Sequence, residues 1–143
     1  MDFVPTTDQF VCVLNKKIEH ARLFNALGHM TAGLVALHAN NLKPMRFQFY
    51  FDKDGGSHKS ISDNGYIVLK ADNSNKIRDL RILLLAKGTV FTDFTSTMTV
   101  GTYAEQHENT HNTSEANLEY FGICFFMNKE EARELTKKFS LFT

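Results

Sequence analysis

The chain contains no tryptophan and only two cysteines, and its sixteen basic and sixteen acidic residues leave no net charge. Each shortage excludes something. Without tryptophan, the thirteen phenylalanines and the aliphatic residues must fill the core. Cys12 and Cys124 sit inside the apolar runs FVCVL and GICFFM, where a thiol behaves as a small buried hydrophobe, so reduced cysteines in a cytoplasmic protein are expected rather than a disulfide framework. Zero net charge gives no long-range attraction to nucleic acid. The opening MDFVPTTDQF lacks a basic n-region and the apolar run after it is too short for a signal peptide, so neither secretion nor a membrane partner is expected.

What remains is ordinary globular composition, with 43% hydrophobic and 22% charged residues over 143 positions. That length predicts one domain over residues 1–143, able to bury a core without a structural metal or cofactor. Neither an internal repeat nor a linker divides it.

The pattern predicts a strand from Phe10 to Leu14, then an amphipathic helix from about Arg22 to His38 with Leu23, Leu27, Met30, Leu34 and Leu37 on one face. Phe47, Phe49 and Phe51 alternate over 46–52, which predicts a strand with that side buried. DGG marks a turn, SHKSIS pairs back as a hairpin arm, and YIVLK is a β-branched strand. A helix from Ser74 directs Ile77, Leu80, Leu83 and Leu84 inward and ends with Gly88 as its C′ residue. Residues 89–94 form a strand, 102–119 a polar loop or weak helix, and 120–127 a buried strand. The last helix opens on Asn128, with Glu131 at N3, and ends near Phe139. This order predicts a three-layer α/β/α domain with a mixed central sheet.

Three segments carry a family resemblance. VCVLNKKIEHARLFNALGHMTAGLVA resembles the first strand, lysine loop and histidine-bearing helix of type II peptidyl-tRNA hydrolases. YIVLKADNSNKIRDLRILLLAKGTVFTDFTSTM is similar to that superfamily's strand, helix, strand and acidic turn, with Asp93 followed four residues later by Thr97. ICFFMNKEEARELTKKFSLF resembles its closing strand and helix. The Asp93-Phe94-Thr95 and Thr97-Met98 pattern is similar to the group known as domain of unknown function 2000. The resemblance covers most of the chain, with 47–62 and 102–119 as insertions.

By this resemblance, Lys17 would stabilise an oxyanion or hold a substrate phosphate, Asp93 would orient Lys17 or a water, and Thr97 would donate a hydroxyl. His29 is the helix histidine, and Arg22, Asn25 and Thr95 would line the ligand site. The amino end of the first helix would offer its N–H groups to a phosphate. The sequence departs from the hydrolases at Ala21-Arg22, at Phe24-Asn25-Ala26, and at Phe94-Thr95, where their turn has Ala-Gly. A bulkier turn reshapes the pocket. Two function classes therefore stay open. One is a module binding a small molecule or partner, compatible with a homodimer; the other is a hydrolase of peptidyl-tRNA or a related ester or amide. Against any site role, Asp93 and the threonines are also ordinary turn residues, and a histidine such as His29 more often packs against the sheet and hydrogen-bonds a neighbour than titrates in catalysis.

Two further strings are weaker than they look. HENTH, from His107 to His111, matches the zincin pattern, but Asn109, Thr110, Asn112 and Thr113 are poor helix formers and no apolar stripe would bury the segment, so no metal site is expected. DKDGGSHKSISD lacks the EF-hand glycine at six and glutamate at twelve, and a hairpin turn explains it. The basic residues between Lys70 and Lys87 read as a solvated helix face, with RNA contact as the alternative.

Overall fold

The computed structural model describes residues 3–143. Its centre is a five-stranded mixed sheet in the order β5-β6-β1-β4-β7, and a separate β2-β3 hairpin stands beside it. β1 (Asp8–Asn15) and β4 (Gly65–Ala71) run parallel. β6 (Tyr120–Asn128) is antiparallel to both β1 and β5 (Phe91–Thr95). β7 (Ser140–Leu141) is a two-residue edge strand against β4 that the sequence pattern did not reveal.

Two apolar clusters lie on opposite faces of this sheet. Alternate residues of β1 divide between them: Val11 and Val13 point to one side, Phe10, Cys12 and Leu14 to the other. On the first side α2 (Ser74–Lys87) and α4 (Lys129–Thr136) bring Ile77, Leu80, Leu84 and Ala132. On the second, α1 (His20–Leu37) brings Leu23, Ala26, Met30 and Leu34. The large α1 side chains among them each contribute roughly 1.5–3 kcal/mol by burial. Gly122 lets α1 approach this closely, because a Cβ there would meet Met30 Cε at 2.8 Å and Leu14 Cδ2 at 2.9 Å. Helices on both faces of a mixed sheet are the expected layering.

Local signals read from the sequence hold at two termini. α2 starts at Ser74, and Gly88 ends it at a φ of 70°. Asn128 Oδ1 accepts the N–H groups of Glu130 and Glu131 at the start of α4.

Other expectations fail. The strand β2 (Phe47–Phe51) pairs with β3 (Ser57–Ser62), but its phenylalanine face is not buried: Phe49 is 55% and Phe51 70% exposed. The hairpin pairs only with itself, so no layer lies over that face. Leu83 is half exposed rather than inward, since three leucines in succession cannot share one face of a helix. Leu37 is exposed at the end of α1. The polar segment contains α3 (Tyr103–His111), which begins with a reciprocal capping box between Thr102 and Glu105. α4 stops at Thr136, short of Phe139, and the chain turns there into β7.

Candidate functional site

α1 follows β1 onto one face of the sheet and α2 follows β4 onto the other, although β1 and β4 are parallel neighbours. The chain thus diverges between the carboxyl ends of these two strands, the place where open α/β sheets form a crevice outside the strand ends. Asn15 and Ala71 pair at those ends. Just beyond them, Lys16 Nζ lies 2.8 Å from Asp72 Oδ1, and Lys16 N–H donates to Ala71 O at 3.0 Å. The buried Asn15 shapes the same loop: its Nδ2 donates to Tyr120 O, and its Oδ1 accepts the N–H of Lys17, each at 3.0 Å.

Lys16 holds the Asp72 carboxyl below the usual range, and Lys76 and Lys17 lower it further. Of these lysines, Lys16 makes the direct ion pair with Asp72. Beside them α1 begins at His20, and its N-cap residue Glu19 makes no side-chain cap, so the first N–H groups of the helix stay free next to the Glu19 carboxylate. Arg22 and Asn25 are exposed on the first turns of the same helix.

A groove of about 680 Å³ opens on the α2/α4 side and includes Asp72 and Lys76 in its lining. Leu80, Leu83, Leu135 and Phe139 give it an apolar surface. Its rim charges are largely matched, Lys87 to Glu131 at 3.3 Å and Lys137 to Glu134 at 2.7 Å. Lys70, Lys76, Lys138 and Asp79 complete its charged lining.

The residues predicted from the sequence do not all meet here. Lys17 lies at the crevice. Thr95 pairs with Tyr120 at the same end of the sheet, which places Thr97 at that end too, but β6 intervenes between β5 and β1, a separation of about 10 Å across two strand spacings. Asp93 lies on the α2 side, where its Oδ2 accepts from Arg81 Nε at 3.0 Å. His29 is on the opposite face, exposed and stacked on Phe94 with ring centroids 5.9 Å apart.

The threonines are committed to one another. Thr110 Oγ1 donates to Gln106 O at 2.8 Å, so the 2.8 Å contact with Thr97 takes its proton from Thr97, and the 2.7 Å contact between Thr97 and the buried Thr95 takes its proton from Thr95. This relay ties the turn after β5 to α3 and occupies the Thr97 proton.

Other basic residues of α2 also turn inward. Arg78 donates to Glu115 Oε2 at 2.9 Å and to Leu118 O, and its guanidinium lies 5.1 Å from the Tyr120 ring centroid. Tyr120 donates to Glu115 at 2.7 Å; burial, and then the neighbouring carboxylate, push its hydroxyl up to about 12. Arg78 and Arg81 thus clamp the protein's own acids and are not part of a free basic face.

His107 and His111 lie exposed on α3, and no cluster of three or more potential metal ligands occurs among the described residues. Asp52 Oδ1 accepts from Asp54 N and Gly56 N, closing the hairpin turn. No described helix is long and apolar enough to cross a membrane.

Sequence reasoning missed Lys16, Asp72, Lys76 and the groove. A signal was present: Lys16 and Asp72 each directly follow a strand that runs into a helix, the position from which α/β sheets build sites.

A solved structure of a protein of unknown function, Atu0240 from Agrobacterium tumefaciens strain C58, superposes with a TM-score of 0.81 at 15% identity, covering 97% of this chain and 100% of that one. At that identity the likeness shows the fold alone. No curated protein matches the chain. The family model described as protein of unknown function (DUF2000) matches residues 8–143, and the chain belongs to that family.

Proposed function

We propose that this protein is a small-ligand-binding module on a peptidyl-tRNA hydrolase-like fold, and that its ligand is an amphiphilic anion. The phosphate or carboxylate head sits at the crevice between Lys16, Lys17 and the start of α1, where Arg22 and Asn25 are within the same first turns. The apolar body runs along the groove over Leu80, Leu83, Leu135 and Phe139. The observation that carries this is the ion pair of Lys16 with Asp72 at 2.8 Å beyond the ends of β1 and β4, beside a groove whose lining includes Asp72 and Lys76. An incoming anion competes with Asp72 for the lysines and leaves the matched pairs along the rim intact.

The peptidyl-tRNA hydrolase-like assignment rests on the element order and on Lys17 standing between the first strand and the histidine-bearing helix. Turnover by Lys17, His29, Asp93 and Thr97 would require them to face one water. Asp93 is held by Arg81, His29 lies across the sheet, and the Thr97 proton is engaged, and this favours binding over hydrolysis. RNA is a poor fit for a neutral protein whose Arg78 and Arg81 are already paired.

Isothermal titration with octyl phosphate, octanol and inorganic phosphate tests the proposal. Octyl phosphate should bind at least tenfold more tightly than either half alone, and Lys16→Ala and Lys17→Ala should each weaken it about fivefold or more. Equal affinity for octanol and octyl phosphate would remove the anion site. Incubation with an N-blocked aminoacyl-tRNA should release no amino acid above the buffer rate; release abolished by both Lys17→Ala and Asp93→Asn would reinstate the hydrolase.

A further inference from the structure

Cys12 and Cys124 are directly opposite one another on the antiparallel strands β1 and β6. Both are unbridged and fully buried, with their side chains on the α1 side of the sheet. Cys124 is nevertheless only one layer from solvent. Its Sγ lies 3.4 Å from the hydroxyl of Tyr66, and that hydroxyl is 2.6 Å from Thr31 Oγ1 on α1. Tyr66 is 39% exposed and Thr31 half-buried, so two hydroxyls, rather than packed hydrocarbon, separate this thiol from water.

We propose that Cys12 and Cys124 form a peroxide-oxidisable dithiol that closes into a disulfide between β1 and β6. Opposed residues on antiparallel strands have Cβ atoms roughly 4.5–5.5 Å apart, and a disulfide requires roughly 3.5–4.5 Å, so closure asks for an approach of about 1 Å. The polar contacts distinguish the two sulfurs. The neighbouring Cys12, with the Tyr66 and Thr31 hydroxyls, brings the Cys124 thiol down against its burial, while Cys12 is pushed up by the same pairing and by burial. Cys124, the sulfur in contact with the Tyr66 hydroxyl and one layer from solvent, is the attacking one.

The steps balance with hydrogen peroxide as the oxidant. The Cys124 thiolate displaces hydroxide from the O–O bond and becomes a sulfenic acid, the hydroxide taking up a proton as water. The Cys12 sulfur then attacks the sulfenic sulfur; the S–O bond breaks, the S–S bond forms, and the Cys12 proton leaves with the second water. The two sulfurs together lose two electrons and the peroxide gains them.

The folded protein, treated with hydrogen peroxide, then denatured and alkylated, should show both thiols protected and an intact mass lower by two hydrogens, and dithiothreitol should restore both. In Cys12→Ser the sulfenic acid has no partner, and dimedone should label Cys124. The wild-type mass measurement stands even if that variant folds poorly. Retention of both alkylatable thiols in the folded chain, under peroxide that oxidises a urea-unfolded control, would overturn the proposal. So would thiol loss only through disulfides between chains, seen as dimers on a non-reducing gel.

Discussion

Asp93 accepts a hydrogen bond from Arg81 Nε at 3.0 Å on the α2 side of the sheet, while the next residue, Phe94, stacks on His29 on the α1 side. Successive residues of a strand point to opposite faces, so β5 itself keeps Asp93 and His29 apart. Asp93 therefore secures α2 to β5. Asp93→Ala leaves a partly buried guanidinium without its partner and should cost about 1–3 kcal/mol in urea denaturation, with octyl phosphate affinity unchanged. A fully stable Asp93→Ala that no longer bound the ligand would instead place Asp93 in the site.

In the proposed site, Asp72 competes with the ligand for Lys16, its ion-pair partner at 2.8 Å. Asp72→Asn removes that competition without deleting side-chain volume and should tighten octyl phosphate binding about threefold to tenfold, an effect that shrinks as salt is added. Titration calorimetry at low and high ionic strength measures both. Weaker binding by Asp72→Asn would mean that the carboxylate helps to hold the ligand.

The contact of Tyr120 with Glu115 gives stability a defined pH window. The Tyr120 hydroxyl first and the Arg78 guanidinium next hold the Glu115 carboxyl below its ordinary value. Their contribution is present above the unfolded value, about 4.3, and is lost as pH falls through the lower folded value. Tyr120, raised to about 12, contributes below its unfolded value of about 10 and loses that contribution as pH rises through about 12. The difference in Tm between wild type and Tyr120→Phe should be level from pH 6 to pH 9 and should narrow below about pH 4. A difference independent of pH down to 3 would mean that Tyr120 stabilises by packing alone.

Thr97 should behave as a docking residue for α3. Thr97→Val interrupts the relay from Thr95 to Thr110 and should cost about 1 kcal/mol, with faster hydrogen exchange in α3, while Thr97→Ser keeps the hydroxyl and restores both. Unchanged exchange in α3 would contradict the relay.

The sequence was most informative where one local cause sufficed. The periodicity of α1 through Leu34, the Asn128 cap and Gly88 all act through neighbours in the chain, and each is found as expected. The same kind of signal was present but passed over at Thr102 and Glu105, whose capping box starts α3 despite the poor helix formers that follow. The phenylalanine alternation of β2 showed a strand but not what covers it, because burial depends on a second layer that no local pattern encodes. The site was harder still. Lys17 was singled out by resemblance alone, whereas the pairing of Lys16 with Asp72 depends on β1 and β4 lying side by side, a relationship between residues 56 positions apart.

Backbone amide NMR of the 15N-labelled protein titrated with octyl phosphate tests the proposed binding site most directly. Shifts should concentrate at Lys16–His20 and Asp72–Lys76, and continue through Leu80–Leu83 and Leu135–Phe139. Shifts confined to the turn after β5 and to α3, or their absence at ligand concentrations that saturate the calorimetric signal, would contradict it.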